Sequence, residues 1–366
     1  MITRENQAKL SPAKKQAFVA ALLRMKSLPS RSTPPTRSLY DDYVKTHNDA
    51  MQAAQMVAHR RPTFLPWHRE YLRRFELDLR AIDAMVALPY WDWTDPDPAH
   101  SPFTDDFMGG DGAPDGHRVV TGPFVYDENN DGPWRIDTNI VDPDTGPPPP
   151  YLMRNFGGDV EYGPRLPSKL ELEAALRIDR YDAPGWNDDW RLPTFRCALE
   201  GWFIGGQKPP PIGLHNRVHV YVGGLDGSML PGTSPNDPIF WLNHCFIDRL
   251  WGLWQRKHPQ ARPYEPWSGG PAGYNVDEPM APWSGADSVT PADVLNTRNA
   301  RNGYRYDDDP PAASLKQLLS SHAGLLKNLR ARPQRPSNET IKDSFPMFPM
   351  FRPPDAGRKA GSHRRG

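Results

Sequence analysis

The stretch SPNDPIFWLNHCFIDRLW, residues 234–251, decides how this chain is to be read. Asp237 can cap a helix, Pro238 suits its first turn, and an apolar stripe then runs on to Lys257. His244 lies inside that stripe. A histidine so placed needs a partner for its polar edge, because a buried polar group without one is costly. A metal ion would supply it. Upstream, HNRVHVYVGG (215–224) spaces His215 and His219 four apart, which on a helix starting near Leu214 puts both imidazoles on one face, within reach of one ion. An HxxxH pair alone is a weak signal. Position 216 is Asn, so the glutamate of a zinc hydrolase's HExxH, its general base, is missing.

The N-terminal half repeats the plan. Residues 12–27 can form a helix with Phe18, Leu22 and Met25 on one face. After LPSRSTPPTRS, residues 39–58 read as a second helix with His47 in its middle, and His59 falls at its end or in the loop beyond. Pro66 sets up a third helix, Trp67 to about Val86, with His68 at its opening in FLPWHREYLRRFE. Residues 168–181 and 194–203 also read as helical. Each half therefore offers three histidines on two helices. Triads of imidazoles suit Cu, Zn or Fe. Two of them without a cysteine ligand favour a copper pair, although spacing alone leaves the metal open.

Bulk properties exclude several classes. The 366 residues allow one large domain or two smaller ones. No run of 18 apolar residues exists, so no membrane span is expected. The two cysteines, Cys197 and Cys245, rule against a disulfide scaffold or a thiolate zinc cluster. Net charge is zero and gives no argument for nucleic acid. MITRENQAKLSPAKKQAFVAALLRMK lacks the pattern of a secretory signal, which points to the cytoplasm; export with a partner that carries its own signal is compatible with this. Residues 95–165 hold 14 acidic and 4 basic residues with many Gly and Pro, and read as a long acidic loop excursion over the surface. Residues 310–366 form a basic, Pro-rich tail, 11 Lys+Arg against 3 Asp+Glu, with one candidate helix at 314–330. Residues 1–309 are then the main domain, which carries both histidine triads.

Taken together, the motifs become specific. His47 and H-x8-H ending in FLPWHREYLRRFE (59–76), then LPYWDW (88–93), resemble the first copper half of the tyrosinase family of type-3 copper proteins. FRCALEGW (195–202), HNRVHVYVGG and SPNDPIFWLNHCFIDRLW resemble the second. The likeness covers roughly residues 36–309 and is to the bacterial members, including the o-aminophenol oxidases of actinobacteria. It implies a mainly α fold, a four-helix bundle with long irregular loops and a few short strands. It also implies two copper ions, on His47, His59, His68 and on His215, His219, His244, with O2 as co-substrate and a small phenol or aminophenol as substrate. A copper-delivery helper protein would fit such a chain.

The resemblance implies roles for further residues. Glu200 and Asn216 match the pair that holds a phenol-deprotonating water; the plainer role for Glu200 is to orient a ligand histidine. Phe240, one turn before His244, is expected to stack over the substrate ring, or else to be core packing. Leu230 falls near the position that covers the metals. Asn243 stands where many tyrosinases carry His and is expected beside the substrate entrance. Cys245 follows a ligand but points about 100° round the helix, as a buried small hydrophobe would. Asp248 would be a ligand's acceptor or part of a salt bridge. The loop from Glu200 to His215 is longer than in short bacterial tyrosinases. Phe345 and Phe348 in SFPMFPMFRPP could plug the site or belong to a loose tail. The substrate reading is oxidation of o-aminophenols and catechols. The alternatives are a full tyrosinase that also hydroxylates monophenols, oxidation of an o-aminophenol to a nitroso product, a haemocyanin-like O2 carrier, and a zinc hydrolase.

Overall fold

The computed structural model describes residues 1–53, 56–130, 132–160, 164–187, 194–201, 213–299 and 301–310. The candidate tail helix at 314–330, Phe345 and Phe348 lie outside the described residues, as does most of the loop from Glu200 to His215. Eight α-helices are described: α1 Pro12–Ser27, α2 Leu39–Gln52, α3 Phe64–Ile82, α4 Lys169–Leu176, α5 Phe195–Glu200, α6 Leu214–Gly223, α7 Ile239–Lys257 and α8 Pro291–Val294. Strands are few and short. β1 (Ile2–Arg4) and β4 (Tyr304–Tyr306) pair in parallel, and β2 (Tyr126–Asp127) pairs antiparallel with β3 (Gly132–Pro133). The fold is mainly α, as expected. Among the described residues no helix is long and apolar enough to cross a membrane.

Helices α2, α3, α6 and α7 position the histidines. Ser38 caps α2, its side chain accepting the Asp41 N–H. Along α3, Phe64, Trp67, His68, Tyr71, Leu72, Phe75 and Leu79 recur at three- and four-residue intervals and are all buried. α7 is buried nearly all round from Ile239 to Leu250, as a helix at the centre of a core must be. The Trp241 ring lies flat on Phe75 of α3, centroids 3.4 Å apart.

Helix ends differ from the sequence expectation where side chains compete with the backbone. α2 stops at Gln52, six residues early, and Met56 and Arg60 take left-handed φ values of 47° and 59°. His59 is thus a loop residue. α3 begins at Phe64, so Pro66 falls within the first turn, where its missing N–H costs nothing. The helix ends at Ile82 because the Asp83 carboxylate accepts the Met85 N–H at 2.9 Å, offering the chain a turn in place of another helical residue. α4 is shorter than 168–181, with a Ser168/Glu171 capping box at its start, and α5 ends at Glu200, with Gly201 capping it at φ 122°.

The acidic stretch 95–165 is not merely a surface excursion. Phe107, Met108, Val119, Phe124, Trp134, Ile136, Ile140 and Leu152 are all buried in the core. Their spacing follows no period because turns, not helices, place them. Asp127, Asp137 and Asp142 each accept a backbone N–H two residues on. Arg154, fully buried, grips Asp237 with two bonds of 2.7 Å and so ties this stretch to the start of α7.

Candidate metal centre

Six histidines converge in two groups, His47, His59, His68 and His215, His219, His244, and within each group one nitrogen per ring lies within 4.8 Å of the others. Three arise from helical spacing: His47 from mid-α2, and His215 with His219 from successive turns of α6. His68 and His244 come from α3 and α7, and their rings stack across the two groups, centroids 4.2 Å apart at 15°. His59 is carried by the loop. All six are buried.

The outer nitrogens explain how the rings are aimed. His47 Nδ1 donates to Gly232 O at 2.6 Å, His219 Nδ1 to Met229 O at 2.6 Å, and His68 Nδ1 to Phe64 O at 2.8 Å. His215 Nδ1 is shared between Asn216 Oδ1 at 2.9 Å and Glu200 O at 3.2 Å. His59 Nδ1 faces Glu200 Oε1 at 3.3 Å. Carbonyl oxygens only accept, so the ring proton sits on Nδ1 and the lone pair on Nε2. The Nε2 atoms then face one another: His47 to His59 at 3.3 Å, His215 to His244 at 3.1 Å, His219 to His244 at 3.4 Å. Three nitrogens about 2 Å from one ion in a trigonal set lie about 3.4 Å apart. Buried lone pairs turned on each other at that distance fit metal ions. Among the described residues His68 Nε2 and His244 Nδ1 have no hydrogen-bond partner.

Burial keeps five of these rings, those of His47, His68, His215, His219 and His244, neutral. It lowers the basicity of His47, His68, His215 and His244 well below the usual imidazole value, neighbouring imidazoles adding to the effect, and brings His219 down to about 4. A neutral ring is the form that ligates.

Glu200 touches both groups, with its carboxylate on His59 and its main-chain carbonyl on His215. The carboxylate also accepts the Arg60 N–H at 2.6 Å and Arg196 Nη1 at 3.0 Å. Burial raises its proton affinity, but His59, Arg196 and the Arg60 amide outweigh that and hold it below the usual carboxylate range. Arg196, itself fully buried, is braced by Asp182 at 2.9 Å. The sequence reading missed Arg196; its signal was a basic residue four before Glu200 on α5.

Other candidates sit differently from expectation. Phe240 is fully buried and stacks on His244, centroids 4.0 Å apart, with His47 at 5.0 Å. Its ring backs the histidines and does not present a face to open space. Asn243 is also fully buried, its Oδ1 accepting the Trp93 indole N–H at 3.1 Å, so it does not stand at an entrance. Its Nδ2 has no partner among the described residues. Leu230 is half-buried and lines a cavity of about 200 Å³ with Pro147–Pro149 and Leu225. Cys245 points to Leu88 O and Tyr306, away from both triads, as the helix geometry predicts. Asp248 holds Arg4, Arg69, Tyr304 and Tyr306 in a buried network and touches no histidine of the site.

The model of the common central domain of tyrosinase matches residues 37–257. The chain belongs to the tyrosinase family. A Streptomyces glaucescens tyrosinase is 40% identical over 84% of the chain and 100% of the relative. Grixazone synthase of Streptomyces griseus is 37% identical over 83% of the chain and 98% of the relative. A solved polyphenol oxidase from Thermothelomyces thermophila shares the fold, with TM-score 0.59, 24% identity, and 84% of this chain against 88% of that one. This tyrosinase-family chain is therefore a type-3 copper oxidase. Its two histidine triads fit the family's dinuclear copper site, with O2 as co-substrate and small phenols as substrates.

Proposed function

We propose that the chain oxidises o-aminophenols and catechols to quinone imines and o-quinones, with one copper held by His47, His59 and His68 and the other by His215, His219 and His244. Bound copper would exchange electrons with O2. The chain's own residues hold the rings and keep the site dry: Phe240 backs His244 and His47, and the stacked His68 and His244 close the floor. The observation that carries the substrate preference is that both members of the water-holding pair are engaged. Glu200 is bound by His59, Arg60 and Arg196, and Asn216 Oδ1 by His215. Glu200, held ionised by these donors, is a weak base for a phenol proton, and it serves the first triad as the anchor of His59. Leu230, between the Met229 and Gly232 carbonyls that hold His219 and His47, would meet the substrate ring. Asn243 acts on substrate choice only through Trp93 and the packing beside His244.

A second reading, hydroxylation of monophenols as well, is favoured by the name tyrosinase on relatives at 40% identity over their whole length. O2 uptake by the copper-loaded protein with tyrosine, a catechol and an o-aminophenol in parallel separates the two. Uptake with the last two only is the expected result, and uptake with tyrosine selects the second reading. No uptake with any of them, together with reversible O2 binding, would mark an oxygen carrier. Both described cysteines are free thiols, which suits residence in the cytoplasm, and a copper-delivery helper remains part of the proposal; fractionation and copper loading in cells test them.

A further inference from the structure

Two ring-aiming carbonyls, Met229 O on His219 and Gly232 O on His47, sit three residues apart in the loop between α6 and α7. That short clip therefore aims one histidine of each triad. Its two ends are anchored to the acidic stretch. At one end, Ser228 exchanges bonds with Met153, Ser228 N–H donating to Met153 O at 2.9 Å and Met153 N–H to Ser228 Oγ at 3.0 Å. At the other, the Asp142 carboxylate accepts the Gly232 N–H through Oδ2 at 2.8 Å. Asp142 is buried, 3% exposed, among a run of acids that are mostly at the surface.

We propose that Asp142 is a positioning residue for both copper sites, fixing Gly232 and with it the clip that aims His47 and His219. Its other oxygen, Oδ1, accepts the Asp144 and Thr145 N–H groups at 2.9 and 3.1 Å, and Asp142 O accepts the Gly146 N–H at 2.7 Å, so the turn that carries the acid is itself rigid. Asn48, next to His47, donates to Val141 O at 3.1 Å, so the same turn is also tied to α2. The approach is close enough to demand glycine at 232. A Cβ there would meet Asn48 Oδ1 at 2.7 Å and Asp142 Oδ2 at 2.8 Å. Such an anchor is an outer support of the kind that holds ligating imidazoles in place. It also gives the acidic stretch a part in the metal chemistry.

The inference rests on His47 and His219 being copper ligands, and the test separates the two claims. In Asp142→Asn the single amide oxygen goes where two N–H groups donate, at Asp144 and Thr145. The amide NH2 then faces the Gly232 N–H, so the turn survives and one bond is lost. The full-length, copper-loaded variant is expected to release copper to a chelator about tenfold faster or more than the parent. Its Gly232 amide should exchange hydrogen faster, while the far-ultraviolet circular dichroism stays unchanged. Faster Gly232 exchange with copper release at the parental rate would overturn the proposal, leaving Asp142 a mere turn former. Thr145→Ala, which touches the same turn but not Gly232, should release copper at the parental rate; an equal acceleration there would also overturn it. Asp142→Ala removes both sets of bonds, and should it fail to fold, Asp142→Asn alone carries the test. His47→Ala is the separate check: a variant that keeps both coppers would bring down the ligand reading itself.

Discussion

At the scale of single residues, the account turns on what each imidazole's outer nitrogen meets. Of the six histidines, only His59 faces a carboxylate among the described residues, and it is also the one carried by a loop. A loop ligand loses more orientation without support than a helical one, so Glu200 should matter more to the first triad than to the second. Glu200→Gln keeps the shape but removes the charge that Arg196 and His59 share. It should weaken copper binding about 10- to 100-fold at one of two sites, read as a biphasic chelator titration. Equal weakening at both sites, or none, would contradict this role. His215 and His219 were legible because helical periodicity is local, His244 because an apolar stripe makes a polar residue conspicuous, and His59, a loop residue, through the family resemblance of the motif around it. Asp142, Gly232 and Arg60 were not, since a backbone carbonyl or amide 90 to 140 residues away leaves no mark on the residues around it.

At the scale of elements, the helices were readable and their ends were not. Periodicity located α1, α3, α6 and α7, but α2 and α3 end early: the Asp83 carboxylate turns the chain through the Met85 N–H after α3, and Met56 and Arg60 take left-handed φ values beyond α2. The acidic stretch misled for the opposite reason: its composition is that of a loop, while its eight core side chains have no period to betray them. The junction of α5 and α6 is the element on which the second triad depends. Gly201 has φ 122°, and a Cβ there would lie 2.8 Å from Asn216 Cβ, beside His215. Gly201→Ala should therefore push α6 off α5 and cost copper occupancy of the second triad, with circular dichroism nearly unchanged. Two coppers per chain in that variant would show that the close approach is not needed.

At the scale of the whole molecule, buried ion pairs join distant parts of the chain. Arg4 of β1 bonds Glu76 of α3 at 2.8 Å and Asp248 of α7 at 3.2 Å. Glu70 of α3 collects Arg73 and Arg301 at 2.8 Å and Arg74 at 2.7 Å. Burial pushes the Glu70 carboxyl up, but the hydrogen bonds from Arg73 and Arg301 outweigh it and bring it down to about 2 from 4.5. A depressed carboxyl stabilises the folded state fully above its unfolded value, and that contribution fades as pH falls from 4.5 towards 2. Glu70→Gln should be less stable than the parent at pH 6, with the gap narrowing through that window in acid denaturation followed by tryptophan fluorescence. A gap that widens on acidification would reverse the assignment.

The most direct test of the central claim is the copper content per chain of the loaded parent set beside that of His47→Ala and His244→Ala. The account predicts two coppers in the parent, and in each variant a loss confined at first to its own triad, with oxidase activity gone in both. Either variant keeping two coppers and full O2 uptake with a catechol would contradict it.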